Sequence, residues 1–169
     1  MDQRVSYQLR RARASGSTGF GTTPVPVAPA VDDLKLTLDK VYRDKRVKCD
    51  TEVGAGAVFR GDPGDLTELL GNLLDNAYKY CRGRVRLSAR SADDRLAITV
   101  EDDGRGIDDA FASVLFQRGK RADESVPGQG IGLAVVREIV ELYHGDVGVA
   151  RSALGGAQIR VELGRAGAL

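Results

Sequence analysis

Residues 67–82 read TELLGNLLDNAYKYCR, and the spacing of the apolar residues there constrains the fold more than any other stretch. Leu66, Leu69, Leu70, Leu73, Leu74 and Ala77 recur at intervals of three and four, the period of a helix with one stripe turned to a core. Asp62 and Pro63 supply an N-cap and a first-turn proline, which fixes where the helix starts. At about 100° per residue, Asn72, Asn76, Lys79 and Tyr80 share one sector about 100° wide on another face. Carboxamide oxygens are hard ligands suited to Mg²⁺, and a lysine ammonium suits a phosphate. The same strip would also serve as an ordinary solvated surface, so its meaning depends on the motifs that accompany it.

A chain of 169 residues with 42% hydrophobic content is the size of one domain with an appendage. Its net charge of +1 gives no bulk attraction to nucleic acid or an anionic membrane, so no nucleic-acid partner is expected. No run approaches the roughly 18 apolar residues of a membrane span, and no signal-peptide pattern opens the chain. Cys49 and Cys81 lack CxxC spacing and read as reduced, core-filling thiols of a cytoplasmic protein.

Residues 5–14 have a helical pattern but are too few to be stable alone. The Gly-, Ser-, Thr- and Pro-rich run that follows reads as a linker, so residues 1–28 are set apart from a domain spanning 29–169. After Pro29, Val31, Leu34, Leu38 and Val41 predict a helix, with Asp32 and Asp33 favouring its N-terminus. Val47, Cys49 and Thr51 predict a strand, and residues 57–60 a second short one. Segments 84–90 and 95–101 alternate around residues 91–94, and residues 146–152 and 157–163 around Leu154-Gly155-Gly156, which predicts two antiparallel hairpins. Gly128-x-Gly130-x-Gly132 leads into a helix whose Leu133, Val136, Ile139, Val140 and Tyr143 turn inward. Helices grouped against hairpins predict a two-layer α/β sandwich, with a helical layer on one mixed, largely antiparallel sheet.

Glycine-rich turns let backbone N–H groups approach a phosphate, and a helix N-terminus adds positive potential. The 128–132 cluster is not the dinucleotide fingerprint, because Leu133 stands where glycine is needed. There is no P-loop either, since Gly119-Lys120 is followed by Arg121.

In order, Asn72-x3-Asn76-x2-Lys79-Tyr80, Asp102-x-Gly104-x-Gly106 and Gly128-x-Gly130-x-Gly132 resemble the N, G1 and G2 boxes of histidine kinases in the GHKL ATP-binding superfamily (the Bergerat fold). Phe116 resembles the F box and Gly155-Gly156 the last glycine box. The resemblance covers about residues 26–165. The phrases LLGNLLDNAYKYC, VEDDGRGI, PGQGIGLAVVREI and LGGA are similar to the catalytic domains of PhoQ-type sensor kinases. Residues 5–14 would then be the end of a dimerisation helix.

The resemblance implies Mg-ATP as the ligand. Asn72 and Asn76 would hold Mg²⁺ and phosphates, Lys79 a phosphate, and Tyr80 the base or ribose. Asp102 would accept adenine's amine, with Gly104, Gly106 and Ile107 alongside the base. Residues 108–127 would form a mobile ATP lid, with Arg118, Lys120 and Arg121 available to the phosphates. Gln129 could reach the triphosphate or the metal, while Gly128, Gly130, Ile131, Gly132 and Leu133 would form the phosphate turn. Asn72, Asn76, Lys79 and Arg121 would carry the transfer. One departure stands out: Val126 precedes Pro127, where PhoQ-like lids often carry arginine.

Hydrolytic members of the superfamily place a glutamate four residues before the metal-binding asparagine. Here that position is Asn72, which cannot act as a base near neutral pH. The ATP is therefore expected to be held for transfer, a reaction that consists mostly of positioning and charge neutralisation. The acceptor would be a histidine on the dimerisation domain of the same kinase, with a response regulator downstream, because no HELKTPL-like segment is present. The full-length protein would be an inner-membrane receptor with this part in the cytoplasm, making no membrane contact itself. His144, the one histidine, reads as a helix C-cap. Arg84, Arg86 and Arg90 read as a solvated strand face. Two other readings share the nucleotide fold: an anti-sigma-factor-like serine kinase, and a nucleotide-binding switch that transfers nothing.

Overall fold

The computed structural model describes residues 23–107, residue 112 and residues 130–164. The expectations for the helix at 5–14 and for the lid, apart from residue 112, lie outside the described residues. In chain order the elements are β1 (Val25–Pro26), α1 (Val27–Val41), a 3-10 turn (Arg43–Lys45), β2 (Lys48–Val53), β3 (Val58–Phe59) and α2 (Pro63–Tyr80). Then come β4 (Arg84–Ala92), β5 (Arg95–Asp102), α3 (Gly130–Leu142), β6 (Asp146–Arg151) and β7 (Ala157–Leu163).

The main sheet has the order β2-β4-β5-β7-β6. β2 runs parallel to β4, because α2 carries the chain across between them, and every other pairing is antiparallel. Alternation sets the buried face: Val85, Leu87 and Ala89 on β4, Leu96, Ile98 and Val100 on β5, and Ile159, Val161 and Leu163 on β7. The three helices among the described residues cover that face, with α2 between α1 and α3. The two-layer sandwich is as the sequence predicts.

The apolar stripe of α2 is fully committed to this core. Leu66, Leu69, Leu70, Leu73 and Leu74 are wholly buried and Ala77 nearly so. At about 2–5 kcal/mol for each Leu→Ala truncation, this stripe anchors the helical layer. Asp62 caps the helix as predicted, its Oδ1 accepting from Gly64 N at 2.7 Å and Asp65 N at 3.3 Å. The inward set on α3 is also observed, with Leu133, Val136, Ile139, Val140 and Tyr143 buried. Both cysteines are free and buried.

Three local expectations need correction. Helix α1 starts at Val27, not after Pro29, and its first turn contains no acidic residue. Pro29 is accommodated because first-turn N–H groups have no intrahelical partner. The stripe on α1 is Val27, Val31, Leu34 and Leu38, extended by Tyr42, while Val41 is 66% exposed. Residues 25–28, read from composition as linker, are β1 and the start of α1. β1 pairs with β3 (Val25↔Phe59, Pro26↔Val58), a two-residue strand too short to give a periodic signal. The first hairpin turn is also tighter than residues 91–94. Only Asp93 and Asp94 lie outside the strands, both left-handed at φ 50° and 60°, as a two-residue type I′ turn requires.

Candidate nucleotide site

The strip on α2 faces the start of α3. Asn72, half-buried, donates its Nδ2 to Glu68 O at 2.7 Å, which commits the nitrogen and leaves Oδ1 as the outward atom. A β-carbon on Gly132 would stand 3.1 Å from that oxygen, so the first turn of α3 lies directly against Asn72. Here the expected phosphate turn is corrected: Gly130, Ile131 and Gly132 are already helical. The N-terminal end of a helix presents N–H groups and a dipole that favour an anion. One turn further along α2, Asn76 is half-buried and Lys79 exposed. The C-terminal end of α2 is fastened by Lys45, whose Nζ donates to Tyr78 O at 2.6 Å and Lys79 O at 2.7 Å.

Asp102 ends β5 on the same face as Leu96, Ile98 and Val100, and strand alternation therefore drives its carboxylate inward; it is 4% exposed. Oδ1 accepts from Gly104 N at 2.7 Å and Ala157 N at 3.3 Å. Burial pushes the carboxyl above its ordinary range, and those two amides only partly offset this. Among the described residues nothing donates to Oδ2. The surrounding backbone is packed tightly enough to require glycine. A β-carbon on Gly104 would sit 2.3 Å from Tyr80 O, and one on Gly156 would sit 2.2 Å from Asp102 Oδ1. Gly106 follows in the left-handed region at φ 85°. The turn 102–106 is thus wedged between the end of α2 and the β6–β7 hairpin, with one buried acceptor oxygen that no described residue engages.

Tyr80 sits at the seam between these halves. Lys79 Nζ lies 5.4 Å from its ring centroid and Arg105 Cζ 5.7 Å. Ile107 is partly buried against the core. Leu133 is 2% exposed inside the core, so its side chain supports α3 and only its backbone could face a ligand. Arg118, Lys120, Arg121, Gly128 and Gln129, with Phe116, Val126 and Pro127, lie outside the described residues.

For Mg²⁺ the donors fit in kind. Among the described residues no group of three His, Cys, Asp or Glu could hold a metal, and the oxygens offered by Asn72 and Asn76 on the α2 strip are neutral amides. That set binds magnesium well only together with phosphate oxygens and water, as Mg²⁺ prefers.

Sequence reasoning passed over Asp103, Lys45 and Arg105. Asp103 Oδ1 accepts from three successive amides, Arg82 N at 2.8 Å and Gly83 N and Arg84 N at 3.1 Å. These bonds hold the carboxyl below its usual range, although partial burial opposes them. An Asp beside two turns was the available signal. Lys45 is 33 residues from its partner, and no local pattern announces it. His144 is exposed and left-handed at φ 49°, its N–H donating to Glu141 O at 3.2 Å. It closes α3 through its backbone, as expected of a cap.

The chain is similar to known proteins in sequence and in fold. A family model described as histidine kinase-, DNA gyrase B-, and HSP90-like ATPase matches residues 61–166. The sensor protein PhoQ of Escherichia coli (strain K12) is 45% identical over 165 residues, covering 98% of this chain and 34% of the relative. The chain thus spans about a third of the length of that relative. The mycobacterial sensor histidine kinase MprB has a similar structure, with a TM-score of 0.67 and 27% identity, covering 85% of this chain and 98% of that one. Full-length ShkA, solved in complex with AMPPNP, matches with a TM-score of 0.71 and 26% identity, covering 97% of this chain and 35% of that one.

Proposed function

Since the chain belongs to the family of histidine kinase-, DNA gyrase B-, and HSP90-like ATPases, we propose that it is the catalytic part of a two-component sensor kinase. It binds Mg-ATP and presents the γ-phosphate to a histidine on a dimerisation domain, and a response regulator takes the phosphate next. The single observation that carries the nucleotide reading is Asp102: buried, with Oδ1 engaged by Gly104 and Ala157 and Oδ2 without a donor among the described residues. An acceptor in that position selects adenine's exocyclic amine and repels the O6 of guanine.

On this reading the base lies between Tyr80 and the 102–106 turn. The phosphates run towards Asn72, Asn76, Lys79 and the N-terminus of α3. Asn72 Oδ1 and the Asn76 amide would hold Mg²⁺, which neutralises phosphate charge when bound, and Gln129 would be a further ligand. Arg118, Lys120 and Arg121 would act on the same phosphates. Neither asparagine can activate water, which favours transfer over hydrolysis. No helix among the described residues is long and apolar enough to cross a membrane. The working compartment is the cytoplasm, where ATP and response regulators are found.

Calorimetric titration with ATP and GTP tests the assignment. ATP should bind and GTP should not, and Asp102→Ala should weaken ATP about ten- to a hundredfold. Equal binding of the two nucleotides by the wild type removes the assignment.

A further inference from the structure

Tyr80 carries two cations on one ring, and they are not equivalent. Lys79 Nζ stands 5.4 Å and Arg105 Cζ 5.7 Å from the ring centroid. Both side chains are exposed, and neither has a carboxylate partner among the described residues, so the ring is the interaction each one shows. Lys79 is also the cation assigned to a phosphate in the proposed site. Arg105 is under no such demand. It is carried by the 102–106 turn, which is rigid for reasons independent of any ligand: Asp102 holds Gly104 N, Asp103 holds three amides of the α2–β4 connection, and Gly104 packs on Tyr80 O. A guanidinium is also the better partner for an aromatic face, being planar and weakly hydrated.

We propose that Arg105 is a positioning residue of the nucleotide site, holding the Tyr80 ring in its base-facing orientation from the 102–106 turn while Lys79 swings to the phosphates. The proposal rests on the nucleotide reading of the site and adds a residue to it. Arg105 acts through Tyr80 and on the base side, so its effect should not depend on how many phosphates the ligand carries.

A double-mutant cycle reads this directly. Arg105→Ala, Tyr80→Ala and the double variant are titrated with adenosine by NMR and with Mg-ATP by calorimetry. Arg105→Ala should weaken adenosine and ATP by the same factor, about two- to fivefold, the range of an exposed cation–π contact. Arg105→Lys should recover part of that loss. In the Tyr80→Ala background the Arg105→Ala effect should vanish. An effect that persists without Tyr80, or that appears with ATP but not with adenosine, overturns the proposal, because Arg105 would then touch the nucleotide itself. Unchanged affinity in Arg105→Ala also overturns it while leaving the site intact. Wild-type protein that binds neither ligand overturns the nucleotide reading and this role together.

Discussion

Gly156 and Asp102 are in contact at a distance that admits no side chain. The Gly156 N–H donates to Asp102 O at 3.1 Å, and a β-carbon on Gly156 would stand 2.2 Å from Asp102 Oδ1 and 2.4 Å from Gly104 N. The last glycine box therefore fixes the position of the acidic residue, and on the proposed reading it would act on the base through that residue alone. Gly156→Ala should displace the carboxylate and reduce ATP affinity at least tenfold while the far-ultraviolet dichroism stays native. Wild-type affinity in a folded Gly156→Ala protein would show that this contact does not set the site.

The Asp102 carboxyl titrates above the ordinary aspartate value of about 3.9 because burial outweighs its two amide bonds. A raised carboxyl pKa means that the folded protein takes up a proton earlier than the unfolded chain does. On the proposed reading, ATP recognition through an ionised acceptor should therefore be complete near neutral pH and lost as pH falls through that raised value. The fall should begin before ordinary aspartates titrate, and Asp102→Asn should flatten it. A wild-type affinity that is constant down to pH 4 would contradict the acceptor role.

Much of this was legible in the sequence, for a physical reason. The α2 stripe, the two hairpins and the α3 stripe each carry a period over many residues, and the burial of Asp102 follows from the same alternation that buries Ile98 and Val100. What escaped was either short or distant. β1 is two residues long, and its pairing with β3 has no period to reveal it. The start of α3 inside the glycine box was hidden because glycine is a poor helix former, so Gly130 and Gly132 read as turn. Lys45 and Tyr143 act on residues 33 and 78 positions away. Only the folded chain brings such partners together.

Tyr143 joins α3 to the N-terminal end of α2. Its hydroxyl donates to Asp65 Oδ2 at 2.7 Å and accepts from Asp62 N at 3.0 Å, and its ring meets Phe59 edge-on at 4.8 Å. Asp65 is 9% exposed, so losing this donor removes a hydrogen bond from a buried carboxylate. Tyr143→Phe should cost about 1–3 kcal/mol in denaturant unfolding, while Tyr143→Phe combined with Asp65→Leu should recover part of that. A neutral single variant would mean that other partners of Asp65 carry the load.

Burial also raises the phenol pKa of Tyr78 and Tyr143, and that of Tyr42 to about 12. A phenol pKa raised on folding contributes stability that is present below the unfolded value of about 10 and lost as pH rises through the folded value. The protein should therefore lose stability progressively above pH 10, and Tyr78→Phe should reduce that dependence. Stability in urea that does not change between pH 9 and pH 12 would show that these phenols ionise as freely in the folded state as in the unfolded one.

The final expectation concerns turnover. Asn72 stands where a hydrolytic base would be needed, and its Nδ2 is already committed to Glu68 O, so no group at that position can take a proton from water. His144, the one histidine of the sequence, is held in a left-handed cap at the end of α3, and its backbone N–H is tied to Glu141 O. Incubated alone with labelled ATP, the chain should bind it, hydrolyse it very slowly and retain no acid-labile phosphate. Mixed with its dimerisation domain as a separate protein, it should phosphorylate that domain's histidine. The reaction should be slow, because an untethered pair loses the effective concentration of a shared chain. Asn76→Asp should abolish it by placing a negative charge beside the triphosphate while leaving adenosine binding largely intact. Phosphate retained on His144, or brisk hydrolysis abolished by Asn72→Ala, would overturn the reading of the chain as a donor to a separate histidine, and wild-type transfer by Asn76→Asp would show that the α2 strip does not work as a metal and phosphate face.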